Sequence, residues 1–351
     1  MQRRGLIIAF VTAAVISLSL TACKSSTGPE SINVVGAGST FAYPLYSAWS
    51  SKFGKLHPNI HINYQSIGSG GGIRQVSEGT VDFGGTDSPM NDKQLATAKT
   101  KRGTDILHFP VALGADVPVY NVPGVTASLN FTPDALAGIF LGKITQWNDP
   151  EIAKANPGVS LPNTKIVVCH RSDGSGTTFV WVDYLAKVSP EWKTKVGVDT
   201  SINWPVGLGG KGNEGVAGLV RQSPNSIGYV ELIYALQNKM TYGQVQNAAG
   251  KFVKADLNSV TAAAAGAVAN MPPDFRVSIT NAPGDATYPV SSFTWMLVPR
   301  DIKDAAKGAA VKSFLLWGIT DGQQSTQALS YAPLAKSVVD KELEAIKTLN
   351  Y

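Results

Sequence analysis

Cysteine is nearly missing from this 351-residue chain, which carries only Cys23 and Cys169. That scarcity excludes a disulfide-stapled scaffold and a thiolate zinc module. Histidine is almost as rare, with His57, His61, His108 and His170 scattered along the chain. His57 and His61 are four apart, but Pro58 lies between them and His61 begins a strand-like run, so no metal site is read there. Charged residues make up 16% of the chain and apolar residues 44%, which excludes a disordered or coiled-coil protein. Net charge is only +5, and the one dense basic group is Lys99, Lys101 and Arg102, read as a solvated loop. No basic stripe for nucleic acid is present. No G-x-S-x-G elbow occurs, and the order of residues reveals no Ser-His-Asp set.

A long apolar run is absent after residue 20, so past that point nothing is expected to span a membrane. Before it, Arg3 and Arg4 precede the apolar stretch Leu6–Leu20, which is short of the ~20 residues a spanning helix needs. Basic start, apolar middle and small residues at the end make a secretory signal over residues 1–22. The end, Leu20-Thr21-Ala22-Cys23, resembles a lipobox, in which Cys23 becomes lipidated and the new N-terminus. Residues 23–30 then form a polar tether. Without Arg3 and Arg4 there remain 28 basic against 25 acidic residues, a net charge of +3. With Cys23 acylated, Cys169 has no partner and reads as an inert core thiol after Ile166-Val167-Val168.

Short apolar runs alternate with helical periodicity throughout, the pattern of an α/β fold. Strands are expected at residues 32–35, 61–64, 81–83, 107–111, 117–120, 166–169, 228–230, 277–279 and 294–298. Helices are expected at 45–56, 73–78, 179–187, 215–221, 262–269, 305–317 and 338–349.

One local pattern recurs four times: a short strand runs into a glycine- or hydroxyl-rich turn that opens a helix. The strand-and-turn segments are Val34–Phe41, Tyr64–Ile73, Val81–Pro89 and Val168–Phe179. The first N–H groups of a helix lack internal partners and carry partial positive charge, so each turn is a candidate anion site. Plain N-capping explains any one turn. Four in one chain, one carrying Arg171, point to an oxyanion cradle.

Arg171 offers a fork of donors to a tetrahedral oxyanion, and Asp173 is placed to orient it. Asp87 is either a helix N-cap before Ser88-Pro89 or an acceptor within the site. In the second role it selects an anion that still carries a proton, because an ionised carboxylate only accepts. Phosphate meets that condition near neutral pH, and sulfate does not. Gly207–Gly212 matches G-x-G-x-x-G, but Trp204-Pro205 precedes it where a strand is required, so it is read as a tight loop rather than a nucleotide site.

The four turns, together with Trp204–Asn213, Leu141–Trp147 and Ile227–Glu231, resemble the periplasmic phosphate-binding proteins of bacterial high-affinity phosphate ABC transporters. The resemblance covers nearly the whole mature chain. It implies phosphate contacts at Thr40, Phe41 (through its N–H), Ser69, Asp87, Arg171, Ser175, Gly176 and Thr177, with Asp173 supporting. Gly70 stands where the family commonly has a second Ser, and His170 where it commonly has a second Arg. The implied fold is two α/β lobes joined by a hinge, with the ligand cleft between them. Residues 31–114 and 291–351 would form lobe I, and 115–290 lobe II.

The resemblance further implies phosphate capture without catalysis, cofactor or metal, and delivery to the permease and ATPase subunits of an ABC importer. The chain is expected to be a monomer, lipid-anchored in the periplasm or at the cell surface. Competing readings are a binding protein for sulfate or molybdate, a phosphatase-like enzyme, and a surface module that keeps only the fold.

Overall fold

A 16-residue strand, Ile106–Asn121, organises the protein by pairing with different neighbours along its two halves. The computed structural model describes residues 31–351; the leader expected over residues 1–22, Cys23 and the expected tether up to Glu30 lie outside the described residues. The strands used below are β1 (Ile32–Gly38), β2 (Ile60–Ser66), β3 (Phe83–Thr86), β4 (Ile106–Asn121), β5 (Val167–Arg171), β6 (Leu208–Gly210), β7 (Ser226–Glu231) and β8 (Ser291–Pro299). Their order in the main sheet is β2-β1-β3-β8-β4-β7-β5-β6. β1 is parallel to β2 and β3, and β5 is parallel to β6 and β7. Helices connect the parallel strands, as crossovers require: α1 (Tyr43–Leu56), α2 (Ser69–Glu78), α3 (Asp92–Arg102), α4 (Gly176–Val188) and α5 (Gly212–Gln222).

Residues Ile106–Ala115 of β4 pair antiparallel with β8, and Asp116–Asn121 pair antiparallel with β7. The two α/β lobes therefore meet along one strand, with the partner change between Ala115 and Asp116. Sequence reading splits β4 into 107–111 and 117–120, with a crossing between lobes expected near Gly114–Val117. The register between β4 and β8 shifts at Thr294/Trp295, opposite Pro110, so an irregularity sits where proline supplies no N–H.

Each lobe fills its centre with aromatic rings. α1 places Leu45, Tyr46, Trp49 and Phe53 on its buried face. There Tyr46 stacks on Tyr64 at 4.4 Å, and Phe53 meets Phe314 edge-on at 5.3 Å. In the other lobe Trp181 stacks on Tyr229 at 5.1 Å, and Phe140 packs against both. Full burial of one such side chain contributes about 1.5–3 kcal/mol.

Three expectations change. Lys99, Lys101 and Arg102 form the last turn of α3 rather than a loop. That helix carries an Asn91–Gln94 capping box, and cations in a last turn complement the helix dipole. Arg102 also bonds the carbonyl of Val81 at 2.9 Å. The alternating segment 277–279 is irregular, because Ser278 and Thr280 turn their hydroxyls to Asp183 and Lys187 instead of pairing in a sheet. Gly207–Gly212 contains a short strand, β6, which lies parallel to β5. No helix among the described residues is long and apolar enough to cross a membrane.

At the partner change, Asp116 and Glu231 stand opposite each other in register, both fully buried. Neither Asp116 oxygen has a hydrogen-bond partner, nor does Oε1 of Glu231. Burial pushes both carboxyls well above the usual carboxylate range, with nearby carboxylates adding to the effect. The folded protein therefore holds protons that the unfolded chain has released, and this lowers stability as pH rises above about 4. Asp116→Asn removes one such proton site. It is expected to match the wild type at pH 4 and to be the more stable of the two at pH 8. Parallel wild-type and mutant stability curves over this range, from denaturant titrations, would show Asp116 to be uncoupled.

Candidate functional site

All four turns converge where the lobes meet. In the first, β1 ends at Gly38, whose φ of 142° suits glycine, and Ser39, Thr40 and Phe41 follow fully buried before α1. In the second, Gly68 at φ 85° turns the chain so that α2 opens at Ser69. The third places Asp87 directly after β3. The fourth runs from Arg171 at the end of β5 to Ser175, which caps α4 by accepting from Thr178 N at 2.9 Å. Gly176 and Thr177 are first-turn residues of α4, so their N–H groups have no carbonyl within the helix. The second and fourth turns touch directly: Gly70 N–H donates to the Gly174 carbonyl at 2.9 Å.

Arg171 is 3% exposed, and its guanidinium is held by a two-point grip. Nε donates to Asp173 Oδ1 at 2.8 Å and Nη2 to Oδ2 at 2.6 Å. Nη1 donates to Thr177 Oγ1 at 3.2 Å. Burial alone would lower the Arg171 pKa, but the Asp173 carboxylate raises it above the ordinary value, so the group stays cationic. Burial alone would likewise raise Asp173, but the guanidinium holds it below the usual carboxylate range. Asp173 Oδ1 also accepts from Gly212 N at 3.0 Å, tying the fourth turn to the start of α5.

Asp87 is 1% exposed and accepts from three hydroxyls. Ser39 Oγ lies 2.6 and 2.7 Å from its two oxygens, Thr294 Oγ1 lies 2.7 Å from Oδ1, and Ser69 Oγ lies 3.3 Å from Oδ2. Burial pushes its pKa up to about 6 against the pull of those hydroxyls and of Arg171. At pH 7 it is mostly ionised and can only accept. It makes no N-cap bond to a following helix; Asn91 caps α3 instead.

The structure thus brings Thr40, Phe41, Ser69, Asp87, Arg171, Asp173, Ser175, Gly176 and Thr177 into one buried cluster. Sequence reasoning missed three members. Ser39 and Thr294 tie down Asp87, and Asn213 spans Thr40 Oγ1 and Thr177 Oγ1 at 2.8 and 3.0 Å. Asn213 directly follows Gly207–Gly212, the stretch read as a tight loop rather than a nucleotide site. Of the other titratable or thiol groups singled out, Cys169 is buried with its thiol pushed up to about 11. His170 stacks on Trp204 at 4.7 Å, with its Nδ1 at the Arg171 carbonyl.

Gly176 has no room for a side chain. A Cβ there would overlap Ser69 Oγ and Asp87 Oδ2 and stand 2.8 Å from Asp87 Cβ. Gly176→Ala is therefore expected to hold the two turns apart and weaken anion binding at least tenfold, with the melting temperature of the ligand-free protein little changed. Calorimetry on the variant checks this, and wild-type affinity would mean that the turns need not approach this closely.

Two α/β lobes joined through a shared strand, with helix N-termini from both aimed at one buried cluster, define a cleft-type solute-binding protein. Comparison with known proteins gives the family. Residues 24–321 match the PBP superfamily domain. The chain is 48% identical over 326 residues to the phosphate-binding protein PstS of Xylella fastidiosa, covering 93% of this chain and 87% of that one. It is 45% identical over 309 residues to the phosphate-binding protein PstS of Pasteurella multocida, covering 88% of each. Among solved structures, a high affinity periplasmic phosphate-binding protein bound with phosphate superposes with a TM-score of 0.72 at 21% identity, over 90% of this chain and 93% of that one. At that identity the likeness concerns the fold. This chain belongs to the PstS family of phosphate-binding proteins.

Proposed function

We propose that the protein captures inorganic phosphate in the cleft between its lobes and delivers it to the permease and ATPase subunits of an ABC importer. The lobes are residues 31–114 with 291–351, and 115–290. Phosphate is held by the hydroxyls of Thr40, Ser69, Ser175 and Thr177, the N–H groups of Phe41, Gly176 and Thr177, and the Arg171 guanidinium, while Asp87 accepts the ligand's proton. Its work is binding rather than catalysis, and it acts as a monomer tethered through a lipidated Cys23 in the periplasm or at the cell surface.

The observation that carries this reading is a donor-lined cradle with one buried acceptor, Asp87, standing where a fully ionised anion would meet it acceptor to acceptor. The cradle's cation is already neutralised by Asp173, so binding rests on directed hydrogen bonds more than on net charge. The family relatives named above are phosphate-binding proteins, which supports the same ligand.

Small-angle scattering on phosphate-free protein tests capture by closure. Added phosphate is expected to reduce the radius of gyration, and equimolar sulfate to leave it unchanged. A chromogenic phosphomonoester incubated with the protein is expected to yield no product. Turnover abolished by Arg171→Ala would make the cradle an enzyme's.

A further inference from the structure

Asn213 is fully buried in the first turn of α5, and its amide orientation is fixed by the backbone. Oδ1 accepts from Glu231 N at 2.9 Å, so Nδ2 must face the other way. There its two protons go to two different threonines, Thr40 Oγ1 at 2.8 Å and Thr177 Oγ1 at 3.0 Å. Each of those hydroxyl oxygens takes a second donor. Thr40 Oγ1 also accepts from Asn213 N at 3.3 Å, and Thr177 Oγ1 accepts from Arg171 Nη1 at 3.2 Å. A hydroxyl has two acceptor positions and one proton. With both acceptor positions filled, the remaining capacity of each threonine is to donate.

We propose that Asn213 is a positioning residue that forces Thr40 and Thr177 to act as hydrogen-bond donors to the bound anion. This rests on the phosphate reading above. Thr40 follows β1 in one lobe, while Thr177 and Asn213 belong to the other. The contact between Asn213 and Thr40 therefore exists only when the lobes are together, and Thr40 receives its orientation at closure. Part of the affinity is thereby withheld until the cleft shuts. An apolar residue of the same size would fill the space without setting either proton.

The test is a mutant cycle on the mature chain, stripped of bound phosphate and titrated with inorganic phosphate by calorimetry at pH 7. Asn213→Ala is expected to weaken binding at least tenfold. Asn213→Leu, which restores volume but no donor, is expected to be as weak as Asn213→Ala. In a Thr40→Val, Thr177→Val background, Asn213→Ala is expected to cost less than threefold, because the groups it orients are gone. Recovery by Asn213→Leu, or the same loss in both backgrounds, would reduce Asn213 to packing. If the wild type takes up no phosphate, the functional reading fails rather than this one. Thermal melts of the ligand-free variants separate binding losses from misfolding.

Discussion

Arg171→Ala is expected to weaken phosphate binding by a factor of 100 or more. The guanidinium is almost wholly buried, and among the site residues it is the one cation. Removing one member of a buried ion pair typically costs about 3–5 kcal/mol, because the partner is left uncompensated. Here the partner is Asp173, which now receives two guanidinium bonds at 2.6 and 2.8 Å. Without them its charge would face the incoming anion, so the loss exceeds that of one charge-assisted bond. Thr177 also loses one of the two donors that set its hydroxyl. Arg171→Lys should fall between the two, since an ammonium cannot bridge Asp173 and Thr177 as the planar fork does. Calorimetric titration checks both variants. Near wild-type affinity in Arg171→Ala would make Arg171 a structural residue.

Asp87→Asn is expected to change selectivity more than phosphate affinity. Ionised Asp87 already accepts from Ser39, Thr294 and Ser69 and has nothing to donate. An anion oxygen beside it must bring its own proton. Facing buried acceptor to buried acceptor costs about 1–3 kcal/mol, or roughly 5- to 160-fold in affinity. An amide can turn a donor toward sulfate, so the preference for phosphate over sulfate should shrink by about that factor in the variant.

Acid should do the same to the wild type. Burial raises the Asp87 pKa to about 6, so the carboxyl gains a donor as pH falls through that value. The phosphate-to-sulfate affinity ratio is expected to hold above pH 7 and to drop toward pH 5. In Asp87→Asn it should change with pH only as phosphate's own ionisation does. Competition titrations across this range decide the matter, and equal pH profiles in both proteins would remove Asp87 from the specificity argument.

What the sequence reveals of the site follows from locality. Each turn is a run of glycines and hydroxyls between a strand and a helix, and capping chemistry acts within three or four residues. The four turns, Arg171 and its ion pair with Asp173, two residues apart, are therefore visible along the chain, while Thr40, Ser69 and Ser175–Thr177 are singled out as contacts only by the family resemblance. Asn213 reaches Thr40 across 173 residues, and Thr294 reaches Asp87 across 207. No spacing rule covers such distances. Asn213 closes Trp204–Asn213, a stretch that supports the family resemblance without pointing to its amide.

The fold divides in the same way. Helices with one apolar face, such as α1 and α4, are legible from periodicity. β4 is not legible as one strand, because its two halves pair with different neighbours, and only tertiary pairing carries the strand through Ala112–Asp116. The segment 277–279 alternates like a strand, yet its polar side chains find partners on α4, and that overrides the pattern.

The most direct test of the account is a calorimetric titration of the mature chain, freed of bound phosphate by unfolding and refolding, with phosphate and then with sulfate at pH 7. The account predicts one tight phosphate site per chain and no sulfate signal. Sulfate binding comparable to phosphate would contradict the role of Asp87, and no binding of either anion would contradict the cradle itself.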